Sequence, residues 1–391
     1  MKIERVEVFG VAVPLIGEYK TAHSSKSVQR SAVIRVTGSN GEVGLGNVDP
    51  SPGYSKDTIG ATLSVLKTTL APLITGMDPA NIHALMLRMD ASVLGYLDAK
   101  AAIEMACLDL AARTCGVPLH SYLGGAVKKI LHFNAWIGIV SPGAAAAEAV
   151  KWQQRGFKSA KIKVGGGIHA DHDRIKAIRE AVGADFQLRI DANAGYDADT
   201  SIELARMVEP YHLQLFEQPV PAEDLAGMAR VRRKARGVPI MADESVLDHA
   251  SLIRIIQAEA ADMVKVKVMK QGGLLNTRRM IATAEAAGIC CVIGHGFGLG
   301  VNTMAEIMVA ATSCNVIEGI ECVGPLKTAD DIVINKLDLC GGSIVLPQGP
   351  GLNVTLSPEK LERYRFDADP EFENNVEHHT GAGDRQSYST Q

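Results

Sequence analysis

Aromatic side chains are scarce in this 391-residue chain, at 5% with two tryptophans, and a site short of rings suits a small polar ligand better than a large apolar one. Long apolar runs are also missing. No stretch reaches the roughly 18 to 20 residues that cross a bilayer as a helix, so no membrane partner is expected. The opening Met1-Lys-Ile-Glu-Arg-Val-Glu-Val alternates like a strand and lacks the apolar block of a secretory signal. Neither sign of charge dominates. The formal net charge is -4, charge is mixed along the chain, and the absence of a basic patch argues against nucleic acid and acidic lipid surfaces. Seven cysteines form an odd set with Cys290 and Cys291 adjacent and no metal-type spacing, which reads as reduced, mostly buried thiols of a cytoplasmic protein.

What is present is apolar volume and a repeat. Hydrophobic residues make up 47% of the chain, and the length accommodates a large domain plus a smaller one, since a (β/α) barrel alone takes roughly 250 residues. From residue 157 to 273, acids and lysines recur at the ends of short apolar runs. Lys161-Ile-Lys163 is followed by Asp191-Ala-Asn193, Glu217-Gln-Pro219, Asp243-Glu244-Ser245 and Lys265-Val-Lys267. Asp191 to Glu217 and Glu217 to Asp243 are both 26 residues, and Asp243 to Lys267 is 24. A strand, a turn, a helix and a return loop need about that length, so the interval reads as successive βα units with one acid or lysine each.

Around this repeat the chain divides. Residues 2–14, 30–37 and 42–47 alternate like a small antiparallel meander, and residues 55–74, 79–93 and 97–115 carry helical periodicity. Sheet first and helices second describes an α+β domain over residues 1–128. The polar stretch 16–28, with Tyr19, Lys20 and His23, is either a connector or a lid over a site elsewhere, in which case His23 contacts substrate. Barrel strands are expected at 132–139, 158–164, 187–191, 213–217, 239–243, 262–267, 289–294 and 315–321, within a barrel domain spanning 129–326 and with an irregular last crossing. Residues 327–366 hold short strands and a final helix expected to pack on the first domain, and 367–391 form a polar tail that includes His378 and His379.

Parallel strands of a barrel converge at one mouth, so these charges meet. Singly, each is most often a solvated surface group. Together at buried strand ends they would repel, and a hard dication with oxygen ligands resolves the conflict. Lys161 and Lys163 are two apart and share a face, while Lys267 ends the strand opposite. Two lysines across a metal could remove a proton from one face of a substrate and return it on the other. The proton expected is one on carbon beside a carboxylate, whose removal leaves an enediolate that the metal stabilises.

These motifs, in this order, together with Lys267-Val-Met-Lys270-Gln-Gly272-Gly273, resemble the enolase superfamily, and within it the muconate lactonizing enzyme subgroup, over residues 1 to about 365. The resemblance implies a modified (β/α)₇β barrel under a capping domain built from both ends of the chain. It implies Mg²⁺, or Mn²⁺, on Asp191, Glu217 and Asp243. Lys163 and Lys267 are implied as the acid/base pair, and Lys161 as support for the substrate carboxylate. Asn193 and Glu244 match positions that assist metal and lysine, with Asn193 on the substrate side, and Glu321 matches an acid near the substrate. Two departures stand out. Lys265 occupies a place where an uncharged residue is expected and is read as pairing with Asp243 or Glu244. His295, at the end of the seventh strand, matches a catalytic histidine of the mandelate racemase subgroup but lacks its acid partner, so it is read as binding substrate.

The expected enzyme is an isomerase, a cycloisomerase or a racemase/epimerase of a small carboxylic acid, and a homo-oligomer. A dehydratase on the same scaffold, a Schiff-base aldolase using Lys267, and a barrel that only binds are the alternatives.

Overall fold

The structure, a computed structural model, describes residues 1–20, 25–50 and 55–366. Ile3–Lys20 pairs antiparallel with Ser25–Gly38, which pairs with Val43–Val48, giving the expected meander. The first two strands run further than expected, into the polar stretch 16–28, with Lys20 and Ser25 as partners. Backbone pairing carries this ribbon, and polar residues hide it from a reading based on apolar alternation. His23 lies outside the described residues, as does the tail from 367.

The three helical blocks form as expected. Thr58 and Asn81 accept hydrogen bonds from the N–H groups of Ala61 and Ala84, capping the first two. The third, Leu97–Thr114, is buried all round from Asp98 to Ala112, because it lies under the cap sheet on one side and meets the barrel on the other. Its alanines let the sheet come close, and the sheet answers with glycines. A Cβ at Gly46 would lie 1.9 Å from the Ala102 carbonyl oxygen, and one at Gly44 would lie 2.0 Å from that of Ala106.

The barrel places seven parallel strands in chain order: Ala135–Ile137, Ser159–Lys163, Gln187–Asp191, Leu215–Glu217, Ile240–Ala242, Met263–Val266 and Cys290–Ile293. Residues 315–321 close the ring through bridges rather than a regular strand, with Val316 against Cys291 and Ile320 against Phe133. Leu215, Met241 and Val292 form a small apolar cluster inside the ring, and Glu217 and Asp243 follow two positions further along the first two of those strands. The same level of the ring also holds charge, since Arg189 is the register partner of Leu215 and Lys265 that of Val292.

After the barrel, Arg365–Phe366 returns to the cap and pairs with Gly10 and Val11. Ser343–Val345 does not join the cap sheet as expected. It pairs with Ile130–His132 just ahead of the first barrel strand, where that short piece offers it an edge. The cysteines are unpaired, and Cys107, Cys291 and Cys322 are buried. The expectation that most are buried fails because Cys115, Cys314 and Cys340 lie at helix ends and turns and are exposed.

Candidate active site

Asp191, Glu217 and Asp243 end the third, fourth and fifth barrel strands or follow directly on them, and all are at most 1% exposed. Asp191 is the register partner of Lys163 on one side and of Glu217 on the other, so backbone pairing alone sets these three side chains at one level. Each acid meets ammonium groups. Lys163 Nζ donates to Asp191 Oδ2 at 2.7 Å and also to Asn193 Oδ1. Lys161 lies 3.1 Å from Asp191, 2.9 Å from Glu217 and 2.6 Å from Glu321. Lys267 spans both oxygens of Asp243 at 2.8 and 2.7 Å, and Lys270 donates to the Asp243 carbonyl at 2.5 Å. Lys163 and Lys267 thus flank the row of acids at its two ends.

The turns after the third and fourth strands hold this row in place. Asn193, Ala194 and Gln218 adopt positive φ without being glycine, a strained choice that persists where surrounding bonds impose it. Gln218 shows how. Its Oε1 accepts from the N–H groups of Asp243 and Ser245, and its Nε2 donates to Val220 O and Ser245 Oγ, tying the fourth strand end to the fifth. Asn193 Nδ2 donates to Glu244 Oε1 at 3.1 Å, and Glu244 Oε2 is buried without a hydrogen-bond partner among the described residues.

Electrostatics follow from this crowding. Burial works to depress the Lys161 ammonium, but the charges of Glu217, Glu321 and Asp191 hold it well above the ordinary lysine value. Burial and the neighbouring Asp191 push Glu217 up to about 8, against the pull of Lys161 and Lys265. Asp243 is buried too, yet Lys267 and Lys270 keep it well below the usual carboxylate range.

Lys265 does not pair with Asp243 or Glu244 as expected. It points inward two residues deeper than Lys267, where it reaches Glu217 Oε1 at 3.1 Å and Glu321 Oε2. Glu321 is engaged on both oxygens, by Lys161 and Lys265 on one and by Arg189 Nη1 at 3.2 Å on the other. Arg189 is completely buried and was missed in the sequence, although a charged residue two before Asp191, on the same face of an apolar strand, was the available signal.

His295 lies at the mouth, 2% exposed. Its backbone N–H donates to Glu306, and its Nδ1 sits 4.0 Å from Asp49 Oδ2, beyond hydrogen-bond range. Burial, and the charges of Lys267, Lys26 and Lys327, hold the ring well below the ordinary histidine value, so it is neutral. Lys26 comes from the cap and Lys327 from just after the barrel, and neither was singled out from the sequence.

Among the described residues, no three carboxylate or imidazole groups stand close enough together to hold a metal ion, because ammonium groups lie between the acids. The donor set nevertheless suits a hard dication: buried carboxylates on adjacent strand ends, repelling one another enough to raise Glu217, beside the unpartnered Glu244 Oε2.

Residues 144–360 match the family described as enolase C-terminal domain-like, and residues 3–124 match the mandelate racemase / muconate lactonizing enzyme N-terminal domain. The chain is 32% identical over 370 residues to a chloromuconate cycloisomerase of Pseudomonas putida, covering 93% of this chain and 99% of that one. The crystal structure of an N-succinyl Arg/Lys racemase from Bacillus cereus superposes with a TM-score of 0.90 at 30% identity, over 94% of this chain and 99% of the other. A dipeptide epimerase from Enterococcus faecalis, complexed with Mg and the dipeptide L-Leu-L-Tyr, superposes at 0.87 and 30% identity, over 91% and 100%. No helix among the described residues is long and apolar enough to cross a membrane.

Proposed function

Because this chain belongs to the mandelate racemase / muconate lactonizing enzyme family of the enolase superfamily, and is an isomerase, we propose that it removes and relocates a proton on the carbon beside a substrate carboxylate. The observation that carries this reading is the row of buried acids Asp191, Glu217 and Asp243, with Lys163 bonded at one end and Lys267 at the other. Asp191, Glu217 and Asp243 would hold Mg²⁺, or Mn²⁺, and the bound ion would offset the negative charge that builds on the substrate carboxylate. Holding it means exchanging the ammonium contacts of those acids for the ion.

The remaining chemistry belongs to the chain. Lys163, as the neutral amine once its contact to Asp191 is given up, takes a proton from one face of the α-carbon, and the Lys267 ammonium gives one to the opposite face; in the reverse direction the two exchange these roles. Lys161 lies between Asp191 and Glu217 and steadies the substrate carboxylate. Asn193 orients Lys163 through its Oδ1. A proton returned to the other face gives racemisation or epimerisation; when a carboxylate oxygen of the same substrate adds to a conjugated double bond and closes a ring, the electron pair moves to the α-carbon and takes a proton there, which gives cycloisomerisation.

The test is isotope exchange. Small carboxylic acids incubated with the protein and Mg²⁺ in D₂O should gain deuterium at the α-carbon. Lys163→Ala and Lys267→Ala should each slow exchange about 10²- to 10⁴-fold, the usual worth of a positioned acid or base. Full exchange in both variants would end the proposal.

A further inference from the structure

Lys265 brings an ammonium to a level of the ring that it shares with the apolar cluster of Leu215, Met241 and Val292, and it is 3% exposed. A buried ammonium has to be matched, and among the described residues the acids that accept from it are Glu217 and Glu321. Glu217, completely buried, is therefore held on both oxygens, Oε1 by Lys265 at 3.1 Å and Oε2 by Lys161 at 2.9 Å. Asp191 differs, since its Oδ1 accepts the backbone N–H of Asn193 at 2.9 Å while Oδ2 meets the lysines. A dication that reaches Glu217 thus meets an ammonium at either oxygen. Lys161 is tied to three acids, Asp191, Glu217 and Glu321, at 3.1, 2.9 and 2.6 Å. Lys265 is tied to two, and the second, Glu321, already accepts from it at Oε2 while Arg189 holds Oε1 at 3.2 Å. Lys265 can leave Glu217 without becoming an unmatched buried charge, because Glu321 keeps it.

We infer that Lys265 competes with the divalent ion for Glu217, and that Glu321, which is not among the three acids of the row, strengthens the metal site by holding Lys265 aside. This rests on the reading that Asp191, Glu217 and Asp243 hold the ion. The exchange involves ion contacts alone: Lys265 gives up Glu217 Oε1 and keeps Glu321 Oε2. The ion is then bound less tightly than three buried carboxylates alone would bind it. Its affinity is set by two residues outside the ligand set, one lysine that opposes the ion and one acid that restrains the lysine. Because both are buried, salt screens their effect far less than it screens exposed charges.

Titration of the full chain with Mn²⁺, the free ion counted by its electron spin resonance signal, tests this without a substrate. Lys265→Met should tighten binding at least about tenfold, a step of about 1.4 kcal/mol. That gain should persist in about 0.5 M KCl, where the effect of an exposed charge would be lost. Should Lys265→Met fail to fold, Lys265→Gln, which keeps a donor for Glu321 but not the charge, reads the same change. Glu321→Gln should weaken binding about tenfold in the wild type and lose most of that effect once Lys265→Met is present, because no Lys265 is left to restrain. Glu217→Gln locates the ion. Binding that this substitution leaves unchanged, or no binding by any variant, removes the metal assignment and the competition together. Binding that needs Glu217 but stays within about twofold in both Lys265 variants, or a gain that vanishes in salt, overturns the competition and leaves the metal assignment standing. Additive effects in the double variant overturn the part given to Glu321.

Discussion

The barrel floor and the seam between barrel and cap both bury carboxylates, and they treat them in opposite ways. On the floor, Asp191, Asp243 and Glu321 are each bonded by lysine or arginine, and those cations overcome burial and hold the acids low. Glu217 and Glu244 rise there, chiefly through burial and then through the charges of the neighbouring aspartates. In the seam, Asp49, Asp98, Glu104 and Glu306 meet mainly hydroxyls, amides and backbone N–H groups, and burial pushes all four up to about 7. Glu104 accepts from the first N–H groups of the helix Leu274–Ala286 at 2.6 and 2.9 Å, fastening the cap helix Leu97–Thr114 to the barrel. The difference teaches what each region is for. Floor charges are fixed by their ion pairs, where the proposed reaction would use them, while seam acids bond backbone and can be protonated without leaving a charge unmatched.

The sharpest way to break the floor is Arg189→Met. Its guanidinium donates to Gln214 Oε1, to the carbonyls of Gly319 and Glu318, and to Glu321 Oε1. Three of those four bonds hold the segment that closes the barrel. Methionine fills similar volume but leaves two carbonyls and a carboxylate oxygen short of donors, and breaking a buried pair costs about 3–5 kcal/mol. Urea unfolding should report a loss of that size. A loss below about 1 kcal/mol would mean that the floor is no more dependent on matched charge than the seam.

How far the floor could be read in the sequence follows from its geometry. Acids and lysines at a constant interval, each closing an apolar run, betray strand ends that meet, because a buried strand has no other reason to finish on a charge. Arg189 obeyed the same rule and was passed over, since it lies inside its strand rather than at the end. The pairing of Lys265 could not be read, because period-two alternation gives the face but not the depth, and depth decides between Asp243 and Glu217. The cap-side mouth was less legible still. Lys26, Asp49, Phe297 and Lys327 come from segments far apart in sequence and lie in no repeat, so only the closing of the cap brings them together.

Lys265→Met tests whether the floor is redundant. Its removal leaves Glu321 with Lys161 and Arg189, and Glu217 with Lys161, so neither acid is stranded. The expected loss is about 1–3 kcal/mol, between that of Arg189→Met and that of any seam substitution. If Lys265→Met costs as much as Arg189→Met, the network acts as one unit, and double substitution will be far from additive.

The smallest effect is expected from Glu104→Gln, and it sharpens the comparison through pH. A seam acid raised to about 7 takes up a proton in the folded chain that it gives up in the unfolded one. Its contribution to stability is therefore greatest at acid pH, is lost as pH rises from the ordinary carboxylate range through about 7, and is flat beyond. Depressed floor acids run the other way, contributing above the ordinary range and failing only as pH falls through their lowered values. The seam acids, with Glu217 on the floor at about 8, thus titrate near neutrality, and the thermal midpoint should fall between about pH 5 and about pH 8. Glutamine cannot ionise, keeps one acceptor oxygen for the helix N–H groups and should cost about 1 kcal/mol or less at neutral pH. Its thermal midpoint should also fall less over the same pH interval than that of the wild type. Parallel pH profiles for wild type and variant would show that Glu104 titrates alike folded and unfolded, and the seam would then owe its grip to the backbone bonds alone.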